Sequence, residues 1–595
     1  MKNIKEYLKS VQFSLSYAFR FVPKETLAMM LIVIMAGALP YGSAWFLGRL
    51  VNAIVMGAKM ASYEGIWILL FLYATVNALP HILGNIRLFI SRHWKLKYSK
   101  ELELDLFVHR ERIDIATYED PKFQDLLQRA FRKGPWVVFE LAYFQFDFAQ
   151  EVAALIIGTI LAVHFNPIIY LVVIISAFPS FIIDTKYATR GWSIWAKDSP
   201  EQRRFSDLRH YIMNRTPLIE TKLLQSGGKL ISWMRKILSG FMHKQLQLEK
   251  SRVWQTTVAG LIAYIGFGTA LVILVRQIIN GDLEVGSLVY MMGTLAAVRS
   301  SIARIMSTLG SQYETHLTVK DVREVVETES VIVDPINPTH LNLSSAPEII
   351  FENVSFKYPH SDTWTLRELN MKLVPGNKIG LVGNNGAGKT TFVKLLCRIY
   401  DPTEGRILVN GVDLRDISTK EWWSYLGIMF QDYASYDFVV KEAIAIGRPD
   451  SNLKLDKVVE AAQTAQAHEF IEEWKDTYNQ QLGVEFGGKE PSKGQRQKLS
   501  IAKIIYRNAF VMILDEPTAS VDAESEAKIF DSLEGLSKDT TALLISHDFS
   551  TILQCNQIFV FEKGRLIEEG SHDILIKKKG VYAHLYELQA ERFRK

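Results

Sequence analysis

Six apolar runs, most of them close to the length an α-helix needs to cross a bilayer, crowd into the first half of this chain: residues 27–47, 66–86, 152–165, 168–183, 258–275 and 285–309. About 20 apolar residues at 1.5 Å each span a hydrocarbon core, and a backbone in lipid must satisfy its own hydrogen bonds, so such runs fold as transmembrane helices. The third and fourth runs are short and meet at Asn166-Pro167, a turn-forming pair. They read as a helical hairpin whose far ends extend into polar sequence. Loop charge sets the orientation. Segments 91–135 and 187–254 carry Arg92, Lys95, Lys97, Lys100, Arg203, Arg204 and Lys244, whereas 53–63, 166–167 and 276–284 are nearly free of Lys and Arg. Positive charge accumulates on the cytoplasmic side, so both termini are expected in the cytoplasm of a multi-pass protein of the plasma (inner) membrane. Residues 1–24 mix aromatics with Lys2, Lys5, Lys9 and Arg20 and offer no small-residue cleavage site, the pattern of an amphipathic elbow helix lying on the membrane.

Helical composition continues past the membrane runs at 102–112 and 223–249 without turn signals, so the helix pairs are expected to project into the cytosol. Their tips, 114–123 (DIATYEDPKF) and 211–222 (YIMNRTPLIETK), each hold a proline that permits a short crosswise helix able to touch another domain. The chain is then long enough for more. Its 595 residues exceed the ~250–300 that one core supports, which calls for a second domain. A charge balance of 68 Lys+Arg against 64 Asp+Glu leaves no basic excess for a nucleic-acid partner, and two cysteines, Cys397 and Cys555, exclude a disulfide scaffold. The polar, Pro-containing stretch 328–347 reads as a linker between a membrane domain, 1–327, and a soluble domain, 348–595.

In the soluble domain strands alternate with helical patterns, as in EIIFENVSFKY, KIGLVG, AFVMILD and TALLISH, so a mostly parallel sheet is expected. Strand 378–383 runs into GNNGAGKT (383–390) and then into a helical pattern, a P-loop in its proper setting. Gly383, Gly386 and Gly388 permit the turn that aims backbone N–H groups at phosphate oxygens, with Asn384, Asn385, Ala387 and Thr391 completing the cradle. Lys389 neutralises the terminal phosphates and Thr390 holds Mg²⁺. The apolar strand AFVMIL ends in Asp515-Glu516, which places Asp515 to hold Mg²⁺ through water and Glu516 to orient or deprotonate the attacking water.

This order of motifs resembles the ATP-binding cassette family, specifically the exporter-type half-transporter in which one six-helix membrane domain is fused to one α/β P-loop cassette. The resemblance covers essentially the whole chain. Besides the P-loop and the acid pair it rests on Tyr358 in FKYP, Gln431 in MFQD, PSKGQRQKLSIAK from Pro491, the ASVD stretch ending at Asp522, and His547 in LLISHD. It implies ATP and Mg²⁺ as bound species. Tyr358 would stack on adenine, a contact of ~1–3 kcal/mol. Gln431 would sense Mg²⁺ and the attacking water, His547 would touch the γ-phosphate and the catalytic carboxylate, and Asp522 would bridge to an opposing cassette. The family's signature is usually LSGGQ, and Pro491-Ser492-Lys493-Gly494-Gln495 departs from it at two positions. In the family this element binds ATP held by the other subunit, here through Ser492, Gly494 and Gln495. The partner is therefore a second half-transporter. A homodimer that tolerates the variation is preferred; a heterodimer, with this weakened signature facing a degenerate site of the partner, is the alternative.

The resemblance implies ATP-driven export of an amphiphilic drug, peptide or lipid by alternating access, with cassette closure pulling on the tips around Tyr118 and Pro217. An ATP-gated channel or regulator, or an importer of the same build, is the other reading. Glu151 and Arg299 each fall about 20 Å from the outer end of their run, as a mutual ion pair or as contacts for a polar substrate. His81 and Asn77 raise the same question, and the aromatics Tyr143, Phe144, Phe146 and Phe148 are candidates for helix packing.

Overall fold

At 1.5 Å per residue a helix of 47 residues is ~70 Å long and one of 53 residues ~80 Å, more than twice a bilayer core. Those are α3 (Ile66–Arg112) and α10 (Gly227–Ile279) of the computed structural model, which describes residues 2–60, 65–131, 134, 136–194, 200–449, 452–517, 539–546 and 549–594. The chain divides into two units, Met1–Ile113 with Pro121–Glu329, and Asp114–Asp120 with Ser330–Lys595.

The first unit is helical: α1 (Lys2–Phe21), α2 (Pro23–Met60), α3 (Ile66–Arg112), α5 (Pro121–Phe131), α6 (Trp136–Phe165), α7 (Pro167–Ile194), α8 (Pro200–Met213), α9 (Arg215–Leu223), α10 (Gly227–Ile279) and α11 (Val285–Glu327). Among the described residues, α2, α3, α6, α10 and α11 contain stretches long and apolar enough to cross a membrane, and α7 has a shorter one, Pro167–Ser180. The hairpin turn between α6 and α7 is made by Asn166, whose side-chain oxygen accepts from the N–H groups of Ile168 (3.0 Å) and Ile169 (3.2 Å), while Pro167 opens the next helix.

One face of α1 is committed to protein. Ser10, Ser14 and Ala18 are fully buried, Tyr17 donates to Asp105 (2.7 Å), and Tyr98 donates to the Ser14 carbonyl (3.0 Å). The opposite face, with Ile4 and Leu8, stays exposed. Trp94 lies at the centre of the aromatic cluster, against Tyr98, Phe139, Tyr143 and Phe146, with its indole N–H donated to Thr26 Oγ1 (2.9 Å). Tyr143 and Phe146 thus pack helices together.

The ion pair between Glu151 and Arg299 is not formed. Glu151 Oε1 meets Arg304 Nε at 2.7 Å, and the Arg299 guanidinium lies over the Tyr264 ring, 4.0 Å from its centre. Five residues of helix amount to about 140° of rotation, so Arg299 and Arg304 point to different neighbours. A depth count along the sequence carries no such angular information.

The second unit holds two sheets. The six-stranded one runs β10-β9-β3-β8-β7-β6, made of β3 (Lys378–Gly383), β6 (Leu426–Met429), β7 (Val511–Asp515), β8 (Thr541–Ile545), β9 (Gln557–Glu562) and β10 (Arg565–Gly570). All its pairings are parallel except β9 with β10. Every residue of β7 is buried, as a strand covered on both faces requires. The segment EIIFENVSFKY belongs elsewhere. Its strand β1 (Ile349–Phe356) pairs antiparallel with β2 (Leu366–Leu373) and β4 (Glu404–Val409) in a four-stranded sheet completed by β5 (Val412–Asp413). Apolar content alone does not distinguish the two sheets.

Residues 330–348 carry little regular structure yet are tied to the cassette. Asp334 accepts from the Thr419 backbone N–H (2.9 Å) and pairs with the buried Arg398 (3.5 Å), and the Leu341 N–H donates to Glu421 (2.8 Å).

Candidate nucleotide site

Parallel strands end at one edge of a sheet, and the loops that leave that edge form the crevice where ligands bind in open α/β folds. Here β3 delivers the glycine loop, β7 delivers Asp515 and Glu516, and β8, between them in the sheet, is followed by Ser546. The loop closes onto α12 (Lys389–Leu396), the helix whose N-terminus follows Gly388. Gly386 (φ 78°) and Gly388 (φ 104°) occupy the left-handed region, and a Cβ on Gly388 would lie 2.6 Å from Leu366. A Cβ on Gly383 would collide with the Phe561 carbonyl. The first N–H groups of α12 have no intrahelical acceptor, so the cradle presents donors and the positive end of a helix. Asn384, Asn385 and Thr390 are exposed, Ala387 and Thr391 buried. A cavity of about 490 Å³ opens beside the loop, lined by Gly383, Asn384, Asn385, Ser546, Phe549 and Leu588 among others.

Lys389 is buried and folds back over the loop, donating to the carbonyls of Gly383 (2.6 Å) and Asn384 (3.3 Å). Burial pulls its pKa down, against the opposing pull of the Asp515 and Glu516 charges. Burial, reinforced by Glu516, pushes the Asp515 carboxyl up to about 6, with Lys389 drawing it the other way.

Glu516 has φ 49°, a conformation that a non-glycine residue adopts when its surroundings enforce it. Its N–H donates to the Ile545 carbonyl (2.9 Å), and its own carbonyl accepts from Gln497 Nε2 (3.2 Å). The side chain turned outward by that backbone meets Gln431, whose Nε2 donates to Glu516 Oε2 at 2.9 Å. Gln431 and Glu516, 85 residues apart, are therefore brought together. Sequence reading missed Gln497. Its signal was a glutamine on the apolar face of the helix after the signature, where it is 3% exposed.

Tyr358 bonds through its hydroxyl to Thr391 Oγ1 (3.0 Å), so the aromatic that follows β1 is moored to α12. In the signature segment Ser492 caps the helix Lys493–Arg507: its Oγ accepts from the Gln495 N–H (3.2 Å), and Gln495 Oε1 accepts from the Ser492 N–H (2.9 Å). Ser492 and Lys493 are exposed, and Gly494 lies in the first turn. Asp522 and His547 lie outside the described residues.

The donor set fits Mg²⁺. A buried carboxylate raised toward neutrality gains from a neighbouring cation, and Asp515, Thr390 and Gln431 offer hard oxygen atoms only. Mg²⁺ takes one or two protein oxygens and fills its octahedron with water and phosphate oxygens, so a larger ligand cluster is not needed. Among the described residues none is present.

Two family models match the chain, one for the ABC transporter over residues 366–519 and one for the ABC transporter transmembrane region over residues 26–191. The chain belongs to the ABC transporters. Among relatives, the subtilin transport ATP-binding protein SpaT of Bacillus subtilis is 24% identical over 564 residues, covering 93% of this chain and 90% of that protein. The uncharacterized ABC transporter ATP-binding protein YfiC of Bacillus subtilis (strain 168) is 28% identical over 584 residues, covering 95% and 92%. Among solved structures, a bacterial Atm1-family ABC exporter with ATP bound superposes with a TM-score of 0.81 at 21% identity, over 96% of this chain and 98% of that one, which establishes a common fold. This ABC transporter chain accordingly has an exporter-like membrane domain fused to a nucleotide-binding cassette. The cassette implies ATP binding and hydrolysis. One membrane domain and one cassette per chain imply that two such chains assemble in a membrane.

Proposed function

We propose that this chain is one half of an ATP-driven exporter that moves an amphiphilic drug, peptide or lipid by alternating access in the plasma membrane, with both termini in the cytoplasm and a second copy as the preferred partner. The observation that carries the reading is the Gln431–Glu516 contact at the edge of the sheet that also delivers the P-loop. Lys389 and the N–H groups of 386–391 hold the triphosphate, and Tyr358 stacks on its adenine. Glu516 accepts a proton from the attacking water, oriented by Gln431, and His547 steadies the γ-phosphate. Thr390, Asp515 and Gln431 would hold Mg²⁺, which would supply positive charge against the phosphate oxygens. Ser492, Gly494 and Gln495 complete the site of the facing cassette. Relatives named for subtilin transport and for multidrug export keep both kinds of cargo among the candidate substrates.

Transport into reconstituted vesicles tests the proposal. Uphill, ATP-dependent accumulation that stops in Glu516→Gln is the expected result. Flux that needs ATP but runs only down a gradient would make the protein a gated conduit instead. Candidate substrates come from compounds that stimulate ATP hydrolysis in lipid nanodiscs.

A further inference from the structure

The second unit includes a segment from the middle of the helical half, Asp114–Asp120, and within it the short helix α4 (Ile115–Glu119). Local chemistry explains why it forms. Asp114 caps it, accepting from the Thr117 N–H (3.0 Å), and the other Asp114 oxygen accepts from the Ile332 N–H (2.7 Å). Ala116 is buried in the cassette core and Asp120 meets His360 at 3.4 Å. The most connected contact is made by Glu119. Its two oxygens accept from Lys394 Nζ at 2.7 and 2.8 Å, and Oε2 also accepts from the Tyr400 hydroxyl at 2.7 Å.

Both partners of Glu119 also touch Tyr358. Lys394 Nζ lies 5.6 Å from the centre of the Tyr358 ring, and the Tyr400 ring meets it edge-on at 5.4 Å. The Tyr358 hydroxyl is held by Thr391, three residues before Lys394 on α12. One carboxylate thus fixes the ammonium and the phenol that, with Thr391, define where the Tyr358 ring stands. A base-stacking platform held in place before the base arrives binds more tightly than one that must be ordered on binding.

We propose that Glu119 is a positioning residue for nucleobase recognition: through Lys394 and Tyr400 it sets the Tyr358 ring, so that the seat of α4 and the binding of an adenine base form one coupled unit. The inference rests on the reading of Tyr358 as the adenine platform. By linkage the coupling is reciprocal, and a bound base strengthens the hold on α4 by the same factor that α4 strengthens base binding.

The test is calorimetric titration of the full-length protein in nanodiscs with ATP and, separately, with inorganic tripolyphosphate, which has no base. Tyr358→Ala is expected to weaken ATP by about 5- to 150-fold and to leave tripolyphosphate unchanged. Glu119→Gln is expected to weaken ATP by roughly 3- to 10-fold, again with tripolyphosphate unchanged, and to add nothing in the Tyr358→Ala background. The exchange Glu119→Lys with Lys394→Glu restores part of the loss caused by Glu119→Lys alone. Equal losses for ATP and tripolyphosphate in Glu119→Gln, undiminished losses without Tyr358, or an unaltered ATP affinity would overturn the coupling. An unaltered ATP affinity in Tyr358→Ala overturns the platform itself, and the coupling with it.

Discussion

The helical unit and the cassette place their apolar side chains in opposite senses. No residue in the apolar window of α3 is buried by protein, and Trp67 on that helix is 76% exposed. Every residue of β7 is buried, and Trp422 of the cassette is fully so. In water an apolar side chain gains ~25 cal/mol per Å² when protein covers it, but in hydrocarbon the surroundings already suit it, so helices are matched by polar pairs and close small-residue contacts instead. Gly158 is one such contact, since a Cβ there would collide with Tyr41 and Val298. The difference teaches that burial pattern reports packing only where the solvent is water.

The largest effect expected separates chemistry from architecture. Glu516→Gln should lower ATP turnover by ~10²–10⁴-fold in steady-state assays while nucleotide still binds. Glu151→Gln, a carboxylate of the helical unit, should keep turnover within roughly threefold of wild type in the same assay, well short of what removing a general base costs. A comparable collapse in both would erase the contrast. Next comes burial. Trp422→Ala removes a core side chain whose indole N–H donates to the Leu396 carbonyl (2.8 Å) and should cost ~3–5 kcal/mol in denaturant unfolding. Trp67→Ala in nanodiscs should stay within about 0.5 kcal/mol.

A smaller asymmetry sharpens the account of polar pairing. Glu151 is buried and its second oxygen has no hydrogen-bond partner, whereas the Arg304 side chain is 55% exposed. Arg304→Met strands a buried charge and should destabilise by ~1–3 kcal/mol, more than Glu151→Gln, which leaves an arginine able to reach other surroundings. A pH effect is confined to the cassette. Because the folded carboxyl of Asp515 titrates near 6 rather than 3.8, the folded chain holds that proton more tightly than the unfolded chain. The resulting stability is present below about pH 4 and is lost as pH rises through 6. Thermal melts without Mg²⁺ and nucleotide should show this fall, and Asp515→Asn should flatten it.

Much of the cassette was legible in the sequence because its chemistry is local. A loop such as GNNGAGKT needs particular residues at consecutive positions, and the strand before it and helix after it are visible as patterns. The membrane crossings were legible for a different reason, since length and lack of charge suffice. What stayed hidden was angular or long-range. EIIFENVSFKY has the composition of either sheet, and its antiparallel partners are decided by register with β2 and β4. Gln497 was one polar residue among many until its amide was seen on the Glu516 carbonyl.

By itself the sequence determined which stretches are long and apolar enough to cross a bilayer, and in what order the glycine loop, the signature segment and the acid pair follow one another, because solvent preference and loop chemistry are written residue by residue. Only the tertiary structure decided the partners: Arg304 rather than Arg299 for Glu151, Gln431 for Glu516, and Glu119 of a helical-half segment for Lys394 and Tyr400. The physical reason is that a periodic pattern records which medium a side chain faces, whereas the identity of its neighbour depends on helix rotation, strand register and chain crossings, which no single segment encodes.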